Sequence, residues 1–513
     1  MSSDETESMS RRSFVAGALA SSAMVAGGGA SWPAVLSRTI HSRPIGHVSD
    51  GSVEEQTIGQ LQEAMQGGAI SSREIVEAYR ARIGTLDHDL HAVLELNPDA
   101  SAIADALDAE RRKSGPRGPL HGIPILIKDN VATADKMETT AGSLALVGAR
   151  PPRDAFVAER LRTAGAVILG KTTMPDYGML SSGLSSFHGL TKNPWDLSKN
   201  PGGSSAGAAA AVAAGYGPLH LGTDIGGSVR LPAGWCGIFT LKPSLGRIPI
   251  DPPYAGRVAG PMTRTVADAA LMMGVLAQPD DRDTMSLPAQ AIEWHRLERD
   301  VSGLRIGFMP DIGVGLPVDE EVAAAVEAAV KRFEAAGARV ERVAPFFTRT
   351  MLDGMDDFWR MRAWLDMSAL REERRARVLP FITAWARRGQ GLSGERVFRG
   401  YSQMAAMRDA AVAACRPYDF VLSPTAPVVA YGAELPSPTN DAERPFEHIC
   451  FTLPFNMSEQ PAASIDCGQT AAGLPIGLQI IGHRHDDLGV LQVARAWEAM
   501  RPTPAPWPEP PAP

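Results

Sequence analysis

Two serines and one lysine stand in settings that ordinary packing does not ask for. Ser204 follows Gly202-Gly203, and Ser228 follows Gly226-Gly227, 24 positions further on. Glycine costs roughly 0.5–1 kcal/mol in a helix or strand interior, so paired glycines before a serine mark backbone that must come close and bend. In "GTDIGGSVRLPAGWCG", residues 222–237, successive N–H groups from Ile225 to Ser228 can form a concave nest of donors. The bare glycines let a developing oxyanion approach that nest. The segment that follows, "VRLPAGW", reads as a helix with its positive end aimed at the same place. Ser228 is then the candidate nucleophile, and Ile225, Gly226 and Gly227 supply an oxyanion hole. The third group is Lys128, at the end of the apolar run "IPILIKDN". Burial penalises an ammonium and lowers its pKa, leaving a neutral amine able to accept a proton. Taken alone, the same lysine reads as well as a strand-end cation reaching solvent or Asp129.

Two further patterns fit by letter and fail on physics. "GAVILGKT", Gly165 to Thr172, matches the phosphate-loop pattern. Such a loop needs a strand before its first glycine and exposed amides between the glycines, whereas Ala-Val-Ile-Leu here make a buried strand preceded by a helix. "GSSAG", Gly203 to Gly207, matches the nucleophile elbow, which requires an apolar strand leading into the serine and a later histidine. A loop, "NPWDLSKNPGG", leads in instead, although His448, His483 and His485 follow downstream. A helix capped by serine, "SSAGAAAAVAAG", accounts for the same letters.

The elements that must hold these groups alternate. Ser71 or Ser72 caps a helix with Glu74 in its first turn, and a further helix covers roughly residues 99–113. "GIPILIKDN" is a short continuous apolar run, the pattern of a strand buried on both faces. "FVAERLRTAG" then "AVILGK", and "EEVAAAVEAAVKRFEAAG" then "ARVERVAP", repeat helix followed by strand. That alternation predicts an α/β fold, a sheet covered by helices on both faces. Residues 350–415 break the rhythm as two or three helices rich in Arg, Met and Trp, which cap a substrate pocket or simply pack on the sheet.

Bulk properties narrow the class. A net charge of −8 over 513 residues argues against a nucleic-acid binder, which would show a basic face. The four cysteines, Cys236, Cys415, Cys450 and Cys467, lack metal spacing and read as free, buried thiols. Near the start, Arg11-Arg12 precede a weakly apolar Ala/Gly/Val stretch ending at Ala30. Paired arginines before such a run are the pattern of a twin-arginine export signal, and the run is short of the ~20 residues of a membrane span. The chain therefore divides into a signal peptide (1–30), a linker (31–50), one main domain (51–500) and a proline-rich tail (501–513), with export to the periplasm expected.

"GGSSAG…GTDIGGSVRLPAGWCGIFTLKPS" resembles the glycine- and serine-rich core of the amidase signature family. So do "GIPILIKDN", "ETTAGS", "GKTTMPDYG", "TKNPWDLSKNPGG", "GPMTRTVADAA", "FTLPFNMSEQPAASI" and "GLPIGLQIIG", in family order over roughly residues 53–500. The resemblance implies a large mixed, twisted central β-sheet. It also implies a triad of Ser228 as nucleophile, Ser204 after a cis peptide bond as proton relay, and Lys128 as general base. Gly203 eases the bond before Ser204, Ser205 hydrogen-bonds near the lysine, and Asp224 pairs with Arg230 beside the nucleophile loop. Two positions depart from the family pattern: Glu459 stands where glycine is common before Gln460-Pro461-Ala462 and could alter the pocket's charge, and Ala206 also replaces a glycine. The implied reaction is hydrolysis of a small or medium amide to carboxylate and amine through an acyl-enzyme, with no metal or organic cofactor and no nucleic-acid partner. A subunit of an amidotransferase acting on charged tRNA, and a carbamate or ester hydrolase, are the alternatives. Export, the lack of a basic face and the lack of an evident partner-binding segment weigh against the first. The substrate and the oligomeric state, a homodimer included, stay open.

Overall fold

The computed structural model describes residues 52–509, so the expected signal peptide, the linker and the last four residues of the tail lie outside the described residues. Apolar runs become strands where they are buried on both sides. Pro124–Lys128 is such a strand, all five residues buried. The described strands, in chain order, are β1 Val93–Leu96, β2 Pro124–Lys128, β3 Val167–Thr172, β4 Leu184–Ser185, β5 Gly189–Leu190, β6 Leu219–Asp224, β7 Phe239–Lys242, β8 Val258–Thr263, β9 Arg305–Phe308, β10 Arg339–Arg342, β11 Phe420–Pro424, β12 Ala462–Gln469 and β13 Pro475–Ile481. Eleven of them form one sheet in the order β1-β3-β2-β6-β8-β7-β12-β13-β11-β9-β10, while β4 and β5 make a separate small hairpin. The sheet is mixed: β2 runs parallel to both β3 and β6, and β6, β8, β7, β12 and β13 continue antiparallel.

Both faces of that sheet are covered. Across three neighbouring strands, Leu422, Ile480 and Ala463 are in register and belong to one hydrophobic cluster. Val421, Ile481 and Ala462, one residue along each strand, are in register and belong to another. Successive side chains of a strand point to opposite faces, so two clusters on alternating residues mean two buried faces.

The helices largely follow their sequence signals. Ser71 caps the helix Ser72–Leu90, with its side chain accepting from the Glu74 amide and Glu74 reaching back to the Ser71 amide. The helix expected near 99–113 covers Ala100–Ser114. The arginine-rich region is more broken than expected, with helices Arg349–Ser368, Glu372–Arg375, Pro380–Arg387 and Gly394–Cys415. Pro380 begins a helix at its first position, where its missing N–H costs nothing, and Ser393 caps the next. All four cysteines are free and buried. Among the described residues, no helix is long and apolar enough to cross a membrane.

Candidate active site

Parallel pairing of β2 with β6 sets the Lys128 end of one strand beside the Thr223-Asp224 end of the other. Lys128 is wholly buried, and its Nζ contacts Ser204 Oγ at 2.8 Å, Ser205 Oγ at 2.9 Å and the Thr223 carbonyl at 3.3 Å. Asp129 does not serve as its counter-ion. That carboxylate accepts from the amides of Thr140 and Gly142 and from the Thr140 hydroxyl, which shapes the neighbouring loop. Burial therefore drives the Lys128 pKa well below its ordinary value, with Asp224 opposing the shift and Arg257 adding to it.

Hydrogen-bond accounting fixes what this amine can do. The Ser205 hydroxyl donates to the Thr223 carbonyl at 3.2 Å, while its oxygen accepts from the Thr223 amide at 3.3 Å. With its own proton spent, Ser205 Oγ is an acceptor toward Nζ, and the Thr223 carbonyl can be nothing else. A neutral amine has two N–H groups and one lone pair. Donation to Ser205 Oγ and the Thr223 carbonyl leaves the lone pair for the Ser204 hydroxyl proton.

This geometry revises the reading of Ser205. It precedes the helix Ala206–Ala213 but its side chain makes no capping bond, because Lys128 and Thr223 occupy it. It is also fully buried and absent from the cavity wall, unlike the exposed serine of a nucleophile elbow. The phosphate-loop letters fare as expected: Lys171 lies buried in β3 and donates to the Val131 carbonyl and to Thr139 Oγ1.

The two glycine-serine units meet. The Ser205 amide donates to the Ser228 carbonyl at 3.1 Å, and both Ser204 and Ser228 line one cavity of about 210 Å³. The bond between Gly203 and Ser204 is cis. A Cβ on Gly203 would sit 2.7 Å from the amide nitrogen and the carbonyl oxygen of Ser182, so only glycine fits there. Asp224 and Arg230, both without exposure, brace the nucleophile loop as an ion pair at 3.1 Å. Asp224 also accepts from the amides of Gly227 and Val229 and from Asn456 Nδ2. Burial alone would raise the Asp224 pKa, but the Arg230 guanidinium and these donors hold it well below the usual carboxylate range. Arg230 in turn donates to the Thr452 carbonyl, Gln479 Oε1 and Asn456 Oδ1.

Gly227 departs from its expected place. Its N–H is taken by Asp224 Oδ1 at 2.8 Å, and it does not line the cavity, whereas Ile225, Gly226 and Ser228 do. The carboxylate competes for an amide that the sequence assigned to an oxyanion. Glu459 is displaced too: it binds Arg408 at 3.0 Å and Arg484 at 2.7 Å, off the cavity wall.

Residues 350–415 contribute to the remaining wall, in line with the first of their two readings. Trp359 and Trp385 come from the arginine-rich helices, and each meets Phe446 edge to face, with centroids 5.2 and 5.5 Å apart. Arg257, Arg362 and Asp366 add charge to the same cavity. Asn130, next to the Lys128-Asp129 turn, donates to Thr223 Oγ1 at 3.0 Å. Among the described residues no group of three or more His, Cys, Asp or Glu side chains is arranged to hold a metal ion.

Comparison with known proteins fits this geometry. A family model described as Amidase matches residues 74–491. The chain is 36% identical over 477 residues to a glutamyl-tRNA(Gln) amidotransferase subunit of Chloroflexus aurantiacus, covering 86% of this chain and 96% of that one. It is 34% identical over 463 residues to an acylamidase of Rhodococcus erythropolis, covering 86% and 95%. The crystal structure of a bacterial aryl acylamidase of the amidase signature enzymes superposes with a TM-score of 0.81 at 31% identity, covering 87% of this chain and 96% of that one.

Proposed function

The chain belongs to the amidase signature family, and from that membership and the geometry of its buried lysine we propose that it hydrolyses amides through a seryl acyl-enzyme. The lone pair of neutral Lys128 takes the Ser204 proton while Ser204 takes that of Ser228. Ser228 Oγ forms a bond to the amide carbon, and the carbonyl oxygen becomes an oxyanion held by loop amides of Ile225, Gly226 and Ser228. An amide nitrogen is a poor leaving group, so the proton returns through Ser204 to that nitrogen as the C–N bond breaks. The amine departs, water attacks the acyl-enzyme by the same relay, and the carboxylate is released. The observation that carries this reading is the position of Lys128 Nζ, 2.8 Å from Ser204 Oγ with Ser205 Oγ and the Thr223 carbonyl as its other partners, so that a neutral amine serving those two with its N–H groups turns its lone pair to Ser204.

A fluorophosphonate probe tests the assignment. Wild type is expected to be labelled and Ser228→Ala not, while Ser205→Ala retains labelling. Labelling that survives Ser228→Ala and disappears with Ser205→Ala would overturn it.

A second reading, one subunit of an amidotransferase that works on charged tRNA, is favoured by curated relatives such as that of Chloroflexus aurantiacus. The sequence features set against it, net charge and the export pattern, bear on partners and address rather than on the bond broken. Purified chain alone, assayed on a panel of amides and carbamates by amine release, separates the two. A free-standing hydrolase turns over members of the panel unaided, whereas an amidotransferase component shows turnover only with charged tRNA and its co-purifying partners. The paired arginines Arg11-Arg12 support a further proposal, that the folded chain is exported to the periplasm by the twin-arginine route.

A further inference from the structure

The cavity holds two cations to which the reaction above assigns no contact with the substrate. Arg257 and Arg362 both line it, yet neither forms an ion pair among the described residues. Arg257 is half-buried, and its guanidinium donates to the Pro252 carbonyl at 3.0 Å. Asp251, the acid close in sequence, is drawn to Arg153 at 3.5 Å. Arg362 is also half-buried, with its guanidinium carbon 4.2 Å from the centre of the Tyr254 ring. The two cations repel: burial first, and then Arg362, push the Arg257 pKa down to about 10.

The nearby acids offset these charges only in part: Asp366 acts on Arg362 and Asp251 on Arg257, but neither closes to an ion pair. Asp224 is committed to Arg230, Gly227, Val229 and Asn456. Asp366, one helical turn from Arg362, is exposed and forms no ion pair with it within 4.0 Å. Partly desolvated cations without a paired carboxylate are costly, and a site can retain them where a ligand supplies that carboxylate. A guanidinium presents a planar fork of donors that matches a carboxylate two bonds at a time.

We propose that Arg257 and Arg362 clamp a carboxylate carried by the amide substrate, so that this enzyme selects acidic amides. The inference rests on the hydrolase reading and names its substrate class. The wall of Trp359, Trp385 and Phe446 then receives the apolar remainder of the molecule.

Two isosteric pairs of amides test this, each differing by a methyl group in place of a carboxylate. On the acyl side, butyric 4-nitroanilide is compared with succinic mono-4-nitroanilide. On the amine side, N-butyryl-4-methylaniline is compared with N-butyryl-4-aminobenzoate. In at least one pair the acidic member should show kcat/KM about tenfold or more above its methyl partner, chiefly through KM. Arg257→Gln and Arg362→Gln should each pull that ratio toward one. Arg362→Glu should drive it below one, a reversal that general loss of folding cannot imitate. If the methyl members are turned over in a Ser228-dependent way at rates equal to or above their acidic partners, the clamp is overturned and the hydrolase reading stands. If none of the four is turned over in a Ser228-dependent way, the hydrolase reading falls and takes the clamp with it.

Discussion

The Lys128 amine and the Ser205 hydroxyl share one acceptor, the Thr223 carbonyl, at 3.3 and 3.2 Å, and stand 2.9 Å from each other. The serine thus spends its proton on the backbone and turns its oxygen to the lysine. Ser205 is a positioning residue: it consumes one N–H of the amine so that the lone pair faces Ser204. Ser205→Ala should lower kcat by about tenfold or more while leaving KM nearly unchanged. It should also shift the alkaline-rising limb of the pH–rate profile, which a merely structural role would not move. Steady-state kinetics across pH with any amide found active checks this.

Lys128 should impose a rising pH profile. Its folded pKa lies below that of the unfolded chain, so activity climbs as pH passes the folded value and the amine loses its proton. The stability sign follows from the same shift. Between the folded value and the unfolded value near about 10.4, the unfolded chain binds more protons, and stability rises with pH. Lys128→Met should reduce turnover by about 10²–10⁴ and remove this dependence. The difference in unfolding free energy between wild type and variant should therefore move in favour of wild type as pH rises, measured by denaturant unfolding at several pH values.

Asp224→Asn leaves Arg230 buried without its counter-charge. Breaking a buried pair by removing one partner costs about 3–5 kcal/mol, and a loss of that order is expected in chemical denaturation. The folded carboxyl is depressed, so the stability it contributes is fully present above the unfolded value near about 4 and fades as pH falls through the lower folded value. The gap between wild type and variant should accordingly narrow in acid.

Trp359 forms part of the aromatic wall and meets Phe446 edge to face. Trp359→Ala should raise KM for amides with an aromatic substituent about tenfold more than for a short aliphatic amide. Equal effects on both substrates would remove Trp359 from the recognition surface.

Replacing Arg11 and Arg12 together by lysine should retain the protein in the cytoplasm, read by fractionation of the producing cells. Unchanged distribution would remove the export proposal.

The groups of the proposed relay were legible because each carries a local signature. An apolar run ending in lysine and two paired glycines before serine survive as patterns in one dimension. Ser205 carries two readings in the sequence: its letters fit a helix cap, whereas the family resemblance sets it near the lysine, and the approach of β2 to β6 lets Lys128 claim the oxygen. Glu459 departs from its reading because Arg408 joins it by tertiary packing and Arg484 by the turn of the chain, whereas Gly227 loses its N–H locally to Asp224, three residues earlier, an acid the sequence reading assigned only to Arg230. The cavity wall was legible only as a segment: residues 350–415 stood out as helices that cap a pocket or pack on the sheet, with nothing in one dimension to say which side chains face the cavity. Trp359, Trp385 and Phe446 lie far along the chain from Lys128 and meet only when the sheet is assembled. Most of the sheet's helix and strand alternation was legible, whereas its mixed pairing order came from resemblance alone.

The aromatic wall and the proton relay are held by different stretches of chain. Lys128, Ser204 and Ser228 are fixed by β2, β6 and their adjoining loops, while Trp359 and Trp385 ride on later helices that belong to the cluster covering one face of the sheet. Chemistry and taste can therefore diverge at different rates in descendants of this chain. Exchanging the helices between Arg349 and Cys415 for others of a different shape would retune which molecules are admitted, with the proposed relay left in place.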